Sequence, residues 1–266
     1  MNDNEGEKIQ VHLPYPLLSA RYDEVLGLGI DPEVYIDGED LVVADRDFLR
    51  RAGAEFGARG LRITQHGPYL GLNPASPDEE RRRLTVSRYH SAFEAAEALG
   101  AVNIVLHAGY SRRTYGGDVA RWLELSMKTW PQFVRRAEDA GMTIAAENIL
   151  EREPGPLKRL VEEIDSPAFR LCIDSGHLNV FSEVDFEEWF RTLGPYIAEL
   201  HLHDNNAEVD EHLPLGEGSI DFVRYFGLLQ KYDVRPVYTI EPHSEEAFPR
   251  AIEAARRFIA RGAAQS

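Results

Sequence analysis

A single (β/α)₈ barrel, an α/β TIM-barrel architecture spanning residues 1–266 as one domain, is the fold this sequence predicts, and three observations predict it. Short apolar segments with strand character alternate eight times with longer segments of helical spacing. No linker, low-complexity tract or shift in composition divides the chain. Histidines and carboxylates recur where the apolar segments end, at the edge where barrels of this kind keep their chemistry.

From the N-terminus, Ile9-Gln10-Val11-His12-Leu13-Pro14 alternates apolar and polar residues and stops at proline, as a strand does. Pro16 to Gly29 is a poor helix pattern and reads as a loop with one short turn. Glu33 to Asp37 is the second strand, and Asp45 to Ala58 then sets Phe48, Leu49, Ala52 and Phe56 on one helical stripe. Leu61 to His66 is the third strand. Asp78 to Leu99 is a long amphipathic helix that Gly100 can terminate. Asn103 to His107 is the fourth strand, followed by a polar loop, Tyr110 to Gly117, long enough to cover a site. Val119 to Ala140 reads as one helix ending at Gly141. Met142 to Glu147 and Phe169 to Asp174 are the fifth and sixth strands, with a helix from Pro156 to Ile164 between them. A helix near Phe186 to Leu193 leads into the seventh strand, Ala198-Glu199-Leu200-His201-Leu202-His203. A helix from Asp221 to Lys231, a strand from Val234 to Glu241 and a helix from Glu245 to Ala260 complete the pattern. No Gly-x-Gly-x-x-Gly follows the first strand, which weighs against a doubly wound dinucleotide-binding sheet.

Composition narrows the partners. The 29 basic and 45 acidic side chains give a formal net charge of −16, which repels a polyanion over much of the surface and weighs against nucleic acid. The one cysteine, Cys172, precludes an internal disulfide and fits a reducing compartment. The first residues are polar and acidic, without the apolar stretch of a secretory signal, and no apolar run approaches the roughly 20 residues of a membrane span. A cytoplasmic protein with no membrane contact is expected, with assembly into a homo-oligomer left open.

The strand ends carry the functional signal. His66 ends the third strand, His107 the fourth and Glu147 the fifth. Asp174 ends the sixth with His177 just beyond, and Glu241 ends the eighth. The seventh supplies His201, with His203 on the same face and Asp204, Asp210 and His212 in the loop behind. Each alone has a plainer explanation: a hydrogen-bonded structural histidine, or a carboxylate capping the next helix. Repetition at one rim does not. Carboxylates gathered without counter-charge would repel one another and raise their own pKa values, a cost that a bound divalent cation removes. Arg112, in the polar loop with Arg113 and Tyr115, is either a clamp for a phosphate or sugar or a solvated loop residue. Cys172 has no sequence neighbour to activate it and is expected to be packed.

Together, His66-Gly67-Pro68-Tyr69, Leu106-His107-Ala108-Gly109, Ala146-Glu147-Asn148, Ile173-Asp174-Ser175-Gly176-His177, His201-Leu202-His203-Asp204, Leu215-Gly216-Glu217-Gly218 and Ile240-Glu241-Pro242 resemble the xylose isomerase-like TIM-barrel superfamily over nearly the whole chain. That superfamily contains sugar and sugar-phosphate isomerases and epimerases, and also AP endonucleases of the endonuclease IV type. In the epimerase branch the resemblance implies one divalent metal, Mn²⁺ or Zn²⁺ with Co²⁺ or Mg²⁺ also compatible, held by Glu147, Asp174, His201 and Glu241. Glu147 and Glu241 would be catalytic, one removing a proton beside a substrate carbonyl and the other returning it through a metal-stabilised enediolate. His177, His66, Tyr69, His107 and Arg112 would contact the sugar or sugar phosphate. In the nuclease branch it implies three zinc ions, with His66, His107, His177, Asp210 and His212 as additional ligands. The acidic charge, the lone basic pair Arg112-Arg113, His203 where that pattern has Asn, and Ser175-Gly176 within the Asp-Thr-Cys-His position rank hydrolysis second. The epimerase arginine shortly after the seventh-strand histidine is also replaced, by Asn205-Asn206-Ala207-Glu208. A non-catalytic polyol- or metal-binding barrel would predict loss of one of the two glutamates, and both are present.

Overall fold

The computed structural model describes residues 9–242 and 248–263. Its strands are β1 (Ile9–Pro14), β2 (Asp31–Tyr35), β3 (Thr64–His66), β4 (Asn103–His107), β5 (Thr143–Glu147), β6 (Phe169–Asp174), β7 (Ile197–Leu202) and β8 (Val237–Ile240). All pair in parallel and in sequence order, and β1 closes on β8, so the predicted (β/α)₈ barrel is the fold observed.

Local chemistry sets the helices of the outer ring. Asp45 begins the helix Arg46–Ala58 by accepting from the backbone N–H of Asp47 and Phe48, and Asp78 begins Glu79–Leu99 in the same way through Glu80 and Arg81. Several expectations need correction. Pro16 to Gly29 forms two short helices, Tyr15–Ala20 and Tyr22–Gly27, because Pro16 sits in a first turn where a missing N–H costs nothing and Leu18 and Leu26 are buried. The single helix expected from Val119 to Ala140 is two, Val119–Ser126 and Trp130–Ala140: Pro131 has no N–H to continue the first and sits in the opening turn of the second. The polar loop after β4 contains a short helix, Arg112–Tyr115. A helix missed by periodicity, Ser175–Phe181, follows β6 directly and carries His177. The second strand begins two residues earlier than expected, and β3 and β8 begin three residues later. The closing helix is Phe248–Ala263; its expected start at Glu245 lies outside the described residues.

The main core lies between strands and helices, where Trp122, Trp130, Trp189, Phe93 and Phe133 are fully buried. Inside the barrel, Val105, Ala145 and Cys172 form a small apolar patch, and burial pushes the Cys172 thiol well up, away from thiolate reactivity. The rest of that interior is polar. Gln10 Nε2 donates to Thr64 Oγ1 at 2.8 Å, Glu199 Oε1 at 2.6 Å and Thr239 Oγ1 at 2.7 Å. Asn103 Nδ2 donates to Glu199 Oε2 at 2.5 Å and its Oδ1 accepts from Thr143 at 2.7 Å. Burial, reinforced by the Glu33 carboxylate, pushes the Glu199 carboxyl well above the usual range. No helix among the described residues is long and apolar enough to cross a membrane.

Candidate active site

Parallel strands deliver their last residues to one rim, and here that rim is acidic and imidazole-rich. Glu147 and Asp174 are the final residues of β5 and β6, His201 lies within β7, and Glu241 follows β8. All four are buried. His201 Nδ1 lies 3.3 Å from Glu147 Oε1 and 3.1 Å from Glu241 Oε1. The second oxygen of Glu147 meets His66 Nε2 at 3.1 Å and His107 Nε2 at 3.3 Å. His177 Nδ1 is 3.5 Å from both Glu147 Oε1 and Asp174 Oδ1, and its Nε2 is 3.4 Å from Asp210 Oδ2. His212 joins Asp210 Oδ2 at 3.1 Å to Glu241 Oε2 at 3.5 Å. These contacts unite His66, His107, Glu147, Asp174, His177, His201, Asp210, His212 and Glu241 in one network.

Other expected residues fall elsewhere. Arg112 turns to Glu183, 3.3 Å away, and is not part of the cavity wall. Asp204 does not join the centre, because its carboxylate is satisfied by the backbone N–H groups of Asn205, Gly216, Gly218 and Ile220 and organises the loop after β7. Tyr69 lines the cavity with its ring stacked 4.7 Å from that of His107.

Two participants, His12 and Glu33, were hidden in the sequence, and a third, His203, was marked there only by sharing the face of His201. His12 Nδ1, on β1, lies 3.0 Å from Glu33 Oε1 and 3.4 Å from Glu241 Oε1. Glu33 sits in mid-strand facing inward; a pattern that starts the second strand at Glu33 disguises it as the strand's outer end. His203 holds Asp174 Oδ2 at 3.0 Å through Nε2 and stacks face to face on His212 at 3.8 Å. The only local signal for His203 is its spacing of two from His201.

The electrostatics follow from this crowding. Burial alone would raise Glu147, but His201 and His107 outweigh it and hold its carboxyl well below the usual range. Glu241 behaves alike through His201, His12 and His212. Burial disfavours charge on His177, yet Asp174, Asp210 and Glu147 push it up to about 10; Asp210 and Glu241 likewise take His212 to about 9. The donor set fits a divalent cation. His201 is fully buried with neither ring nitrogen hydrogen-bonded, and ligand atoms of His66, His201 and Glu241, or of His66, His107 and Glu147, lie within 4.8 Å of one another. Above them opens a cavity of about 800 Å³ walled by Tyr35, Tyr69, Leu70, Ile149, Pro242 and Phe248.

Fold and site together define a TIM-barrel protein with its polar machinery at the C-terminal rim of the strands. The chain belongs to the xylose isomerase-like TIM barrel family, whose sequence profile matches residues 31–261. It is 35% identical over 188 residues to the uncharacterized protein MJ1311 of Methanocaldococcus jannaschii, covering 68% of this chain and 64% of that one. Over 190 residues it is 32% identical to the L-ribulose-5-phosphate 3-epimerase UlaE of Escherichia coli, again 68% of this chain and 64% of the relative. The match thus spans under two thirds of these relatives' length. Among solved structures, a D-tagatose 3-epimerase-like protein shares 26% identity at a TM-score of 0.81, over 97% of this chain and 99% of that one. The TTHB071 protein from Thermus thermophilus, soaked with ZnCl₂, shares 27% identity at a TM-score of 0.76, over 94% of this chain and 98% of that one.

Proposed function

We propose that this chain is a divalent-metal-dependent sugar or sugar-phosphate epimerase or isomerase, in which Glu147 and Glu241 exchange protons with the carbon beside a substrate carbonyl. The observation that carries the reading is the approach of two glutamates from distant strands to one ring nitrogen, His201 Nδ1, at 3.3 and 3.1 Å. Held by Glu147, Asp174, His201 and Glu241, a divalent cation would supply positive charge to the oxyanion that develops as the C–H bond breaks. The surrounding imidazoles keep both glutamates ionised and so able to accept a proton. One takes the proton from the substrate carbon and the other returns a proton to the opposite face, inverting that centre; return to the neighbouring carbon interconverts aldose and ketose. His177 offers a hydrogen bond to a hydroxyl, and the aromatic and aliphatic wall matches the C–H surface of a neutral sugar. The names of the Escherichia coli relative and the D-tagatose 3-epimerase-like neighbour support the same chemistry.

Ketopentoses, ketohexoses and their phosphates, incubated with the Mn²⁺-loaded protein in D₂O, are expected to gain deuterium beside the carbonyl. Glu147→Gln and Glu241→Gln are each expected to lower turnover by roughly 10²-fold or more while metal content falls modestly. Full activity of either variant on a substrate the wild type converts would refute the two-glutamate mechanism.

One observation favours a second reading. His66 and His107 share Glu147 Oε2, and His177 and His212 share Asp210 Oδ2, pairings that suit additional cations and zinc-dependent phosphodiester hydrolysis of the endonuclease IV type. Elemental analysis separates the two: one manganese or cobalt per chain supports the epimerase, and three zinc ions with cleavage of abasic-site duplex support the hydrolase.

A further inference from the structure

Beneath the rim, Glu33 holds a place that neither proton transfer nor the proposed ligand set uses. It lies in β2 and is completely buried. Its Oε1 is 3.0 Å from His12 Nδ1 and 3.4 Å from His201 Nε2, while its Oε2 makes no hydrogen bond. His201 therefore stands between two sets of acids, with Nδ1 toward Glu147 and Glu241 and Nε2 toward Glu33.

A neutral imidazole carries one hydrogen. If Nδ1 offers its lone pair at the rim, the hydrogen is on Nε2 and needs an acceptor in a place closed to solvent. Two carboxylates face that nitrogen. Glu199 Oε1 is farther, at 3.8 Å, and already accepts from Gln10 and Thr239. Cys172, which also interacts with this ring, offers only sulfur, a weak acceptor. Glu33 is the nearer carboxylate, at 3.4 Å through the oxygen that also meets His12.

We propose that Glu33 is the positioning residue of the centre, accepting the Nε2–H of His201 and so fixing the tautomer and tilt that present Nδ1 to a divalent cation. The proposal rests on the reading of His201 as a cation ligand. Histidine ligands commonly donate their other N–H to a carboxylate, and removing that partner costs about 10–100-fold in metal affinity. A hydrogen bond across this 3.4 Å separation requires the ring to turn slightly toward Glu33.

Zn²⁺-loaded protein with ¹⁵N-labelled histidine tests this, with the His201 signal assigned by its loss in His201→Ala. Long-range ¹H–¹⁵N spectra are expected to show Nδ1 ligated and a slowly exchanging proton on Nε2. In chelator competition, Glu33→Met, which removes the acceptor at similar volume, is expected to lose about 10–100-fold in Zn²⁺ affinity. Glu33→Gln, whose amide oxygen can still accept, should recover much of that loss. Wild-type affinity in Glu33→Met, or a spectrum with Nε2 ligated and Nδ1 protonated, overturns the proposal. Should Glu33→Met fail to fold, the wild-type spectrum and Glu33→Gln decide the matter. Unchanged Zn²⁺ binding by His201→Ala would instead sink the parent reading, by a route the Glu33 variants do not share.

Discussion

At Gly176 an added methyl group would stand 1.9 Å from His203 Cε1. That ring has little freedom to yield, since it holds Asp174 and lies flat on His212. Gly176→Ala is expected to pull His203 off Asp174, costing about 1–3 kcal/mol through overpacking and weakening Zn²⁺ binding; an unchanged melt and titration would contradict this. Glu151 carries a pH signature. Burial pushes its carboxyl from the ordinary 4.5 up to about 7, against the Ile149 N–H that it accepts. Between those values the folded chain keeps a proton that the unfolded chain has released. The associated stability is complete below the unfolded value and is lost as pH rises through the folded one, about 3 kcal/mol in all. Glu151→Gln, a mimic of the protonated form, is expected to flatten urea-derived stability across that range; an unaltered slope would refute the assignment. Sequence reading finds the groups that stand at strand ends, because that position has a local pattern. Glu33 and His12 escape it because their partners are distant in the chain and the inner face of a barrel is not a local property.

Elements were legible where their ends are marked by side chains. Asp45 and Asp78 announce helix starts, and Gly100 and Gly141, at φ of 63° and 68°, announce ends. Asp78→Ala is expected to cost roughly 0.5–2 kcal/mol in chemical unfolding by removing the acceptor for Glu80 and Arg81, with Zn²⁺ affinity unchanged. The helix Ser175–Phe181 was not legible because its seven residues include Gly176 and Asn179 and show no apolar stripe; a cap and its packing hold it instead. That cap is Asp174, whose Oδ1 accepts the His177 N–H at 2.6 Å while its Oδ2 takes His203 at 3.0 Å. One carboxylate thus orients an imidazole from the next helix as well as one beyond β7.

For the molecule as a whole, the proposed cation binding would be coupled to protons. With His177 near 10 and His212 near 9, both imidazoles are protonated at neutral pH before a metal arrives. Ligation there must expel those protons, so apparent affinity is expected to rise with pH up to about 10, with proton release visible by calorimetry in buffers of different ionisation enthalpy. Affinity flat with pH would restrict binding to groups other than these two. The polar interior has a different reach. Glu199, on β7, is held by Gln10 of β1, Asn103 of β4 and Thr239 of β8. A fragment starting at β5 would keep Thr239 and lose the other two, leaving a carboxyl stranded in its own centre. This barrel is therefore indivisible as a hereditary unit: recombination that swapped either half for that of a distant cousin would have to bring a matching interior along with it.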